Sequence, residues 1–118
     1  MSDIQKQEEN SLIFCDLSVF TDEERDRHMQ LAQELLSKVS ELRESDDGYF
    51  LRLPGEEGII LKMADFINDD RKCCQFIHFG IDIEAHGKGF WLILKGDTAD
   101  AKSAIKGELL EFIPDSLK

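Results

Sequence analysis

The segment from residue 70 to residue 79, DRKCCQFIHF, places an aspartate three and four positions before a pair of adjacent cysteines. On a helix, residues three and four apart share a face, so Asp70 is expected to approach both Cys73 and Cys74. Thiolates are the ligands that zinc, copper(I) and other soft metal ions prefer. A carboxylate on an apolar helix stripe is costly unless it is paired or hydrogen-bonded. The spacing therefore predicts a polar or metal-binding site built around these three residues.

A third cysteine, Cys15, lies in a segment whose alternating pattern predicts a strand from residue 11 to residue 19 with Cys15 facing the core. If this face meets the cysteine pair, we expect the sulfur of Cys15 within about 8 Å of that of Cys73 or Cys74. Adjacent helix residues point about 100° apart, so one cysteine of the pair should face the core and the other lean away. The pattern fits either cysteine as the inner one.

A helix is predicted from residue 21 to about residue 45, because the segment opens with the capping box T-D-E-E and continues with apolar residues at helical spacing. Extended backwards by the same spacing, the apolar stripe reaches His28 and then Arg25. Two polar side chains therefore continue the face that is predicted to be buried. Both are candidate partners for the carboxylate of Asp70.

The remaining patterns predict, in chain order, a strand at 49–53, a helix at about 56–77, two strands at 79–84 and 90–95 joined by a hairpin turn, and a helix capped at 97 or 98. The predicted order is β-α-β-α-β-β-α. We expect a two-layer α+β domain over residues 11–118, with helices on a small mixed or antiparallel sheet. Residues 1–10 are polar and are predicted to form a flexible N-terminal tail.

The chain of 118 residues carries a formal net charge of −11 and has no basic run, which argues against nucleic acid and anionic membrane surfaces as partners. No apolar stretch is long enough for a membrane span or a signal peptide, so we expect a cytoplasmic protein with reduced cysteines.

The segment DRKCCQFIHF resembles the E-R-x-C-C-P-F-F-x-F segment of a family of small uncharacterised prokaryotic proteins. The segments FCDL and TDEERDRH are similar to that family's C-x-L and E-R-x-R-H, ESDDGYFLR to E-L-x-D-G-Y-x-x-R, and WLILKG to W-L-x-L-T-G. The resemblance covers about residues 12–112 and implies a shared fold without an established activity. Two positions depart from it, since Asp70 replaces a glutamate and Gln75 replaces a proline that would end the helix.

The resemblance implies that eight positions form one set. Within this set we predict ligand-binding roles for Arg25, His28, Tyr49, Arg52 and Asp70, and the thiolate chemistry described above predicts metal-ligand roles for Cys15, Cys73 and Cys74. Periodicity alone places Cys15, Arg25, His28 and Asp70 on buried faces, whereas Tyr49 and Arg52 enter only through the resemblance.

Three functions remain open. The first is binding of a soft metal ion, such as zinc, or of another thiophilic ligand through cysteine thiolates. The second is a small enzyme that uses a cysteine thiolate with His28 as its base. The third is a non-catalytic, homodimeric interaction domain whose polar residues form a buried structural network. We rank metal binding first and the enzyme last.

Overall fold

The computed structural model describes residues 15–118, which form three helices and four strands. The elements in chain order are α1 (Asp22–Leu36), β1 (Glu41–Glu44), β2 (Gly48–Pro54), α2 (Ile59–Cys73), β3 (His78–Ile83), β4 (Gly89–Lys95) and α3 (Ala99–Leu109). The polar tail predicted at residues 1–10 and the first part of the predicted N-terminal strand, residues 11–14, lie outside the described residues.

The four strands form one antiparallel sheet in the order β1-β2-β4-β3, which confirms the predicted α+β class. β4 lies inside the sheet, as its apolar character on both faces predicts. Leu51 of β2 pairs with Leu92 of β4, and both side chains are fully buried on the side of the sheet that faces the core. The core therefore lies between one sheet face and the helices.

α1 begins as predicted, because Thr21 accepts a hydrogen bond from the Glu24 amide and the Glu24 carboxylate accepts one from the Thr21 amide. It ends at Leu36, however, and not near residue 45. Residues 41–44 instead form β1, which pairs with β2 across a turn closed by Ser45 and Gly48. The Asp-Gly pair of this turn favours a hairpin, and strand pairing outweighs the helical spacing of the preceding residues.

The strand predicted up to residue 19 is wrong for its described part, because residues 17–19 form a single turn of 3-10 helix. The Asp16 carboxylate accepts hydrogen bonds from the backbone amide and the hydroxyl of Ser18, which holds the chain in this turn. The described chain therefore runs α-β-β-α-β-β-α after a short turn, and β1 is a strand that the sequence pattern does not predict.

α2 begins after Gly58, whose φ of 88° favours glycine, and ends at Cys73, earlier than the predicted residue 77. Cys74 has φ −115° and ψ 68°, so the chain leaves the helix there although Gln75 replaces the proline of the resembled family. α3 follows its predicted cap, since Thr98 accepts a hydrogen bond from the amide of Ala101. Between residues 15 and 118, no helix combines the length and the apolar character that a membrane crossing requires.

Candidate functional site

A buried pair of polar side chains joins α1 to α2. The Nε2 atom of His28 lies 2.9 Å from Oδ1 of Asp70, within hydrogen-bond distance. The two residues are 3% and 2% exposed, and they are the only buried polar or charged residues in the described part of the chain. The prediction that Asp70 is buried and bonded to a named partner is confirmed, with His28 as that partner.

Aromatic rings fix the position of the His28 ring. It stacks on Phe66 of α2 and contacts Phe20 in front of α1, each at a centroid distance of 5.4 Å. His28 Nδ1 and Asp70 Oδ2 are both buried, and neither atom has a hydrogen-bond partner among residues 15–118. An unpaired buried polar atom is costly, so this site has unused capacity for a ligand.

The structure joins Cys15 and Cys74 in a disulfide, with their Cα atoms 4.4 Å apart. The prediction that the sulfur of Cys15 lies close to that of the cysteine pair is therefore confirmed. The expectation that all three cysteines are reduced is wrong in this structure, because two of them are oxidised. In this state the sulfur atoms of Cys15 and Cys74 bond to each other, which corrects their predicted role as thiolate ligands here.

Cys73 is the one free cysteine of the described chain, and it is buried. Its sulfur lies 3.5 Å from the sulfur of Cys74 and 3.7 Å from Oδ1 of Asp70. Burial, and next the negative charge of Asp70, raise the pKa of the Cys73 thiol to about 12. The thiol therefore stays protonated at neutral pH.

Both members of the cysteine pair face the interior, since Cys73 is 3% and Cys74 is 2% exposed. The expectation that only one of them faces the core is wrong. It assumed that both residues are helical, whereas Cys74 has already left the helix and its side chain turns inward.

His28, Asp70 and Cys73 together resemble the donor set of a metal site. Each offers one ligand atom, and the three atoms lie within 4.8 Å of one another in a buried position. The sulfur of Cys74 is 3.8 Å from Oδ1 of Asp70, so a fourth donor would adjoin these three once the disulfide is reduced. We call the five residues Cys15, His28, Asp70, Cys73 and Cys74 the cysteine cluster.

A small cavity of about 60 Å³ adjoins the cysteine cluster. It is partly open, and its wall includes Met29 from α1 and Glu108 from α3, followed by Glu111 and Phe112. The two glutamates are exposed and were not among the predicted site residues. Their three-residue spacing near the end of the last helix is visible in the sequence. No neighbouring residue in the sequence indicates that they lie close to the cysteines.

Arg25 lies outside the cluster. Its side chain is 45% exposed and its guanidinium lies 3.4 Å from the carboxylate of Asp22. The prediction that it shares the buried face of α1 is wrong, because burial on this helix begins only at His28, one turn further on. The capping turn projects beyond the core.

Tyr49 and Arg52 lie on opposite sides of the sheet. Tyr49 is buried in the core, with Nζ of Lys102 5.5 Å from its ring centre. Arg52 points to the other face, where Nε lies 2.6 Å from a carboxylate oxygen of Glu84, which also accepts a hydrogen bond from the Trp91 indole at 2.9 Å. The cavity beside the cysteine cluster includes neither residue in its wall.

Comparison with protein-family models, with curated proteins and with solved structures gives no match for this chain. The resemblance to a small prokaryotic family therefore stays a prediction, as do the homodimer and the absence of a nucleic-acid partner. Function is inferred below from the geometry of the cysteine cluster.

Proposed function

We propose that the protein, once its disulfide is reduced, binds one thiophilic divalent metal ion of the Zn²⁺ type. The donors are the sulfur atoms of Cys73 and Cys74 together with His28 and Asp70. The observation that carries this proposal is the convergence of three buried ligand atoms, from His28, Asp70 and Cys73, within 4.8 Å of one another.

The distances between the donor atoms support tetrahedral coordination. Metal–ligand bonds of about 2.0–2.3 Å separate the ligand atoms of a tetrahedral site by roughly 3.3–3.8 Å. The sulfur of Cys73 lies 3.5 Å from that of Cys74, and Oδ1 of Asp70 lies 3.7 Å and 3.8 Å from the two sulfurs. The hydrogen-bonded contact between His28 and Asp70, at 2.9 Å, has to lengthen for a metal ion to enter. The ligand atoms of His28 and Cys73 lie within 4.8 Å of each other.

The charge of the site also favours a cation. Two thiolates beside a carboxylate would repel one another in a buried place, and a divalent ion removes that repulsion. Metal binding would therefore release thiol protons, because the ligand form of cysteine is the thiolate. The unpaired Oδ2 of Asp70 and Nδ1 of His28 provide further polar capacity next to the ion.

The adjoining cavity provides access for an ion. It reaches the cysteine cluster from a surface where Glu108 and Glu111 are exposed. Acidic side chains at the mouth of a cleft raise the local concentration of cations. We infer that a metal ion would approach the site along this side of α3.

The buried structural network is the second candidate, and one observation favours it. His28 and Asp70 already form a buried hydrogen bond that ties α1 to α2 without any ion. An enzyme that uses Cys73 as its nucleophile is disfavoured, because the raised pKa of Cys73 keeps its sulfur in the unreactive thiol form.

Native mass spectrometry and calorimetry of the fully reduced chain with Zn²⁺ test the proposal. We expect one bound ion per chain, removable by a chelator. Substituting Co²⁺ should give the sulfur-to-metal absorption of thiolate coordination, which a network without metal cannot produce. Failure of the reduced chain to take up Zn²⁺ or Co²⁺ would favour the structural network.

Histidine variants provide the matched control. His28→Ala should weaken Zn²⁺ binding at least roughly tenfold, because the ion loses one of four ligands. His78→Ala should leave the affinity unchanged, since the His78 side chain is 75% exposed and lies on β3. Equal affinities of the two variants would remove His28 from the metal site.

A further inference from the structure

We propose that Cys15 is the redox partner of the proposed metal site, so that the disulfide between Cys15 and Cys74 and the bound metal ion exclude each other. The inference rests on the proposed function and adds its regulation. Oxidation withdraws Cys74 from the donor set and releases the ion, whereas the metal ion protects Cys74 from oxidation.

Disulfide formation and metal binding exclude each other because both require the sulfur of Cys74. Its sulfur lies beside both Cys73 and Asp70 and is at the same time bonded to Cys15. A sulfur in a disulfide has no thiolate charge to share with a metal ion. The oxidised protein therefore keeps only three of the four proposed donors, from His28, Asp70 and Cys73.

A backbone contact keeps Cys15 next to Cys74 independently of the disulfide. The amide of Asp16 donates a 2.8 Å hydrogen bond to the carbonyl oxygen of Cys73 at the end of α2. This hydrogen bond involves no sulfur atom, so we expect it to persist on reduction and to keep Cys15 within reach of Cys74. The third thiol is thus held where it can reoxidise rapidly.

The alternative disulfide is unfavourable. Cys73 and Cys74 are adjacent, and neighbouring Cα atoms lie closer together than the roughly 4.4–6.8 Å that disulfides usually span. The Cα atoms of Cys15 and Cys74 lie 4.4 Å apart, at the near edge of that range. All three cysteines are buried, with Cys15 at 7% exposure against 3% for Cys73 and 2% for Cys74.

The oxidant is a low-molecular-weight disulfide such as oxidised glutathione. The Cys15 sulfur attacks it after losing its proton, forming a mixed disulfide and expelling one thiolate, which takes up that proton. The Cys74 thiolate, leaving the metal ion, then attacks the Cys15 sulfur and expels the second thiolate. The sulfurs of Cys15 and Cys74 together lose two electrons, and the disulfide reagent gains two. The metal ion departs, and the Cys73 thiolate takes up a proton.

The test is the disulfide equilibrium of the full chain in glutathione buffers, with and without Zn²⁺, read by thiol trapping and mass spectrometry. At free Zn²⁺ about one hundred times the dissociation constant, we expect the equilibrium constant for oxidation to fall about 100-fold. For this two-electron couple, that corresponds to about 59 mV. In the same buffers His28→Ala should show a much smaller Zn²⁺ effect, and His78→Ala the full one.

Cysteine variants separate the role of Cys15 from that of a ligand. Cys15→Ser should bind Zn²⁺ as the reduced wild type does and should keep it when oxidised glutathione is added. Cys74→Ser should lose Zn²⁺ affinity at least roughly tenfold under every condition. An equal loss in both variants would make Cys15 a ligand and would overturn its proposed role.

The two proposals fail in different ways. A wild-type chain that binds Zn²⁺ when reduced but shows the same disulfide equilibrium with and without Zn²⁺ contradicts redox control and leaves metal binding intact. A reduced chain that binds no Zn²⁺ contradicts the proposed function itself. The wild-type equilibrium decides between these outcomes even where a cysteine variant does not fold.

Discussion

His28 Nε2 and Asp70 Oδ1 lie 2.9 Å apart, and this buried hydrogen bond joins α1 to α2 across 42 positions of sequence. Both partners are buried, and each also has one buried atom without a hydrogen-bond partner among the described residues. A fully satisfied structural pair would leave no such atoms. The contact therefore combines a structural role with unused ligand capacity.

Removing the carboxylate should destabilise the fold. Asp70→Ala leaves His28 buried without its partner, and we expect the free energy of unfolding to fall by about 2–4 kcal/mol. Urea unfolding of the metal-free, oxidised protein measures this loss. Asp65→Ala on the same helix is the matched control, because Asp65 is exposed and its loss should cost about 0.5 kcal/mol or less.

A double-mutant cycle with His28→Ala assigns the loss to the pair. The two changes together should cost less than the sum of the single changes by about 1 kcal/mol or more. Additive losses would mean that the contact contributes nothing of its own.

Loss of the disulfide should also lower stability. Cys15 and Cys74 are 59 positions apart, and a loop of this length predicts a contribution of about 4 kcal/mol through the unfolded state. Cys15→Ser should lower the free energy of unfolding of the oxidised protein by about that amount, as measured with denaturant. Cys73→Ser keeps the disulfide and should lose much less.

The same variants can be compared under reduction. Without metal, reduced wild type and reduced Cys15→Ser should unfold at nearly the same denaturant concentration, because neither has the crosslink. A persistent difference of several kcal/mol would show that Cys15 stabilises the fold by packing and not through the disulfide.

Cys73 should react slowly with alkylating reagents in the folded, metal-free protein. Its pKa is raised from 9.0 to about 12, so at pH 8 its thiolate fraction is roughly a thousandfold below that of an ordinary thiol. Iodoacetamide labelling followed by mass spectrometry measures the rate. The chain unfolded in urea, with its disulfide intact, is the reference, and equal rates in the two states would contradict the raised pKa.

The raised pKa of Cys73 predicts that the folded protein becomes less stable at alkaline pH. Between pH 9 and about 12, the unfolded chain has lost the Cys73 proton while the folded chain still holds it. The free energy of unfolding therefore falls as pH rises through this window, by up to about 1.4 kcal/mol per pH unit from this group. The difference between wild type and Cys73→Ala isolates it, because other groups that titrate there are common to both.

Arg52 and Tyr49 should be dispensable for metal binding. The Arg52 guanidinium interacts with Glu84 on the far face of the sheet, and that contact lowers the pKa of the Glu84 carboxyl. Arg52→Ala and Tyr49→Phe should leave the Zn²⁺ affinity of the reduced protein within about twofold of wild type, as measured by calorimetry. A tenfold loss of Zn²⁺ affinity in either variant would show that the substituted residue contributes to metal binding.

Local signals in the sequence predicted a large part of the fold. The caps of α1 and α3 depend on residues within three positions of each other, and the Thr21 and Thr98 hydroxyls form the expected bonds. The alternation in β3, the apolar character of β4 on both faces and the apolar stripe of α2 also predict their elements, because each pattern reflects the surroundings of a single element. The position of Asp70 on that stripe predicts a buried hydrogen-bond partner, because a buried carboxylate without one is costly.

Contacts between distant segments decided the rest. Residues 41–44 follow a helical spacing but become a strand because β2 offers them a ladder of hydrogen bonds. Cys74 turns inward because the chain leaves α2 after Cys73. The choice of Cys74 as the partner of Cys15 depends on where two segments 59 positions apart meet.

Arg25 lies just outside the site and His28 inside it, because packing on Phe66 begins only one turn into α1. Periodicity predicts which face of a helix is buried, but only the neighbouring element determines how far along that face the core extends.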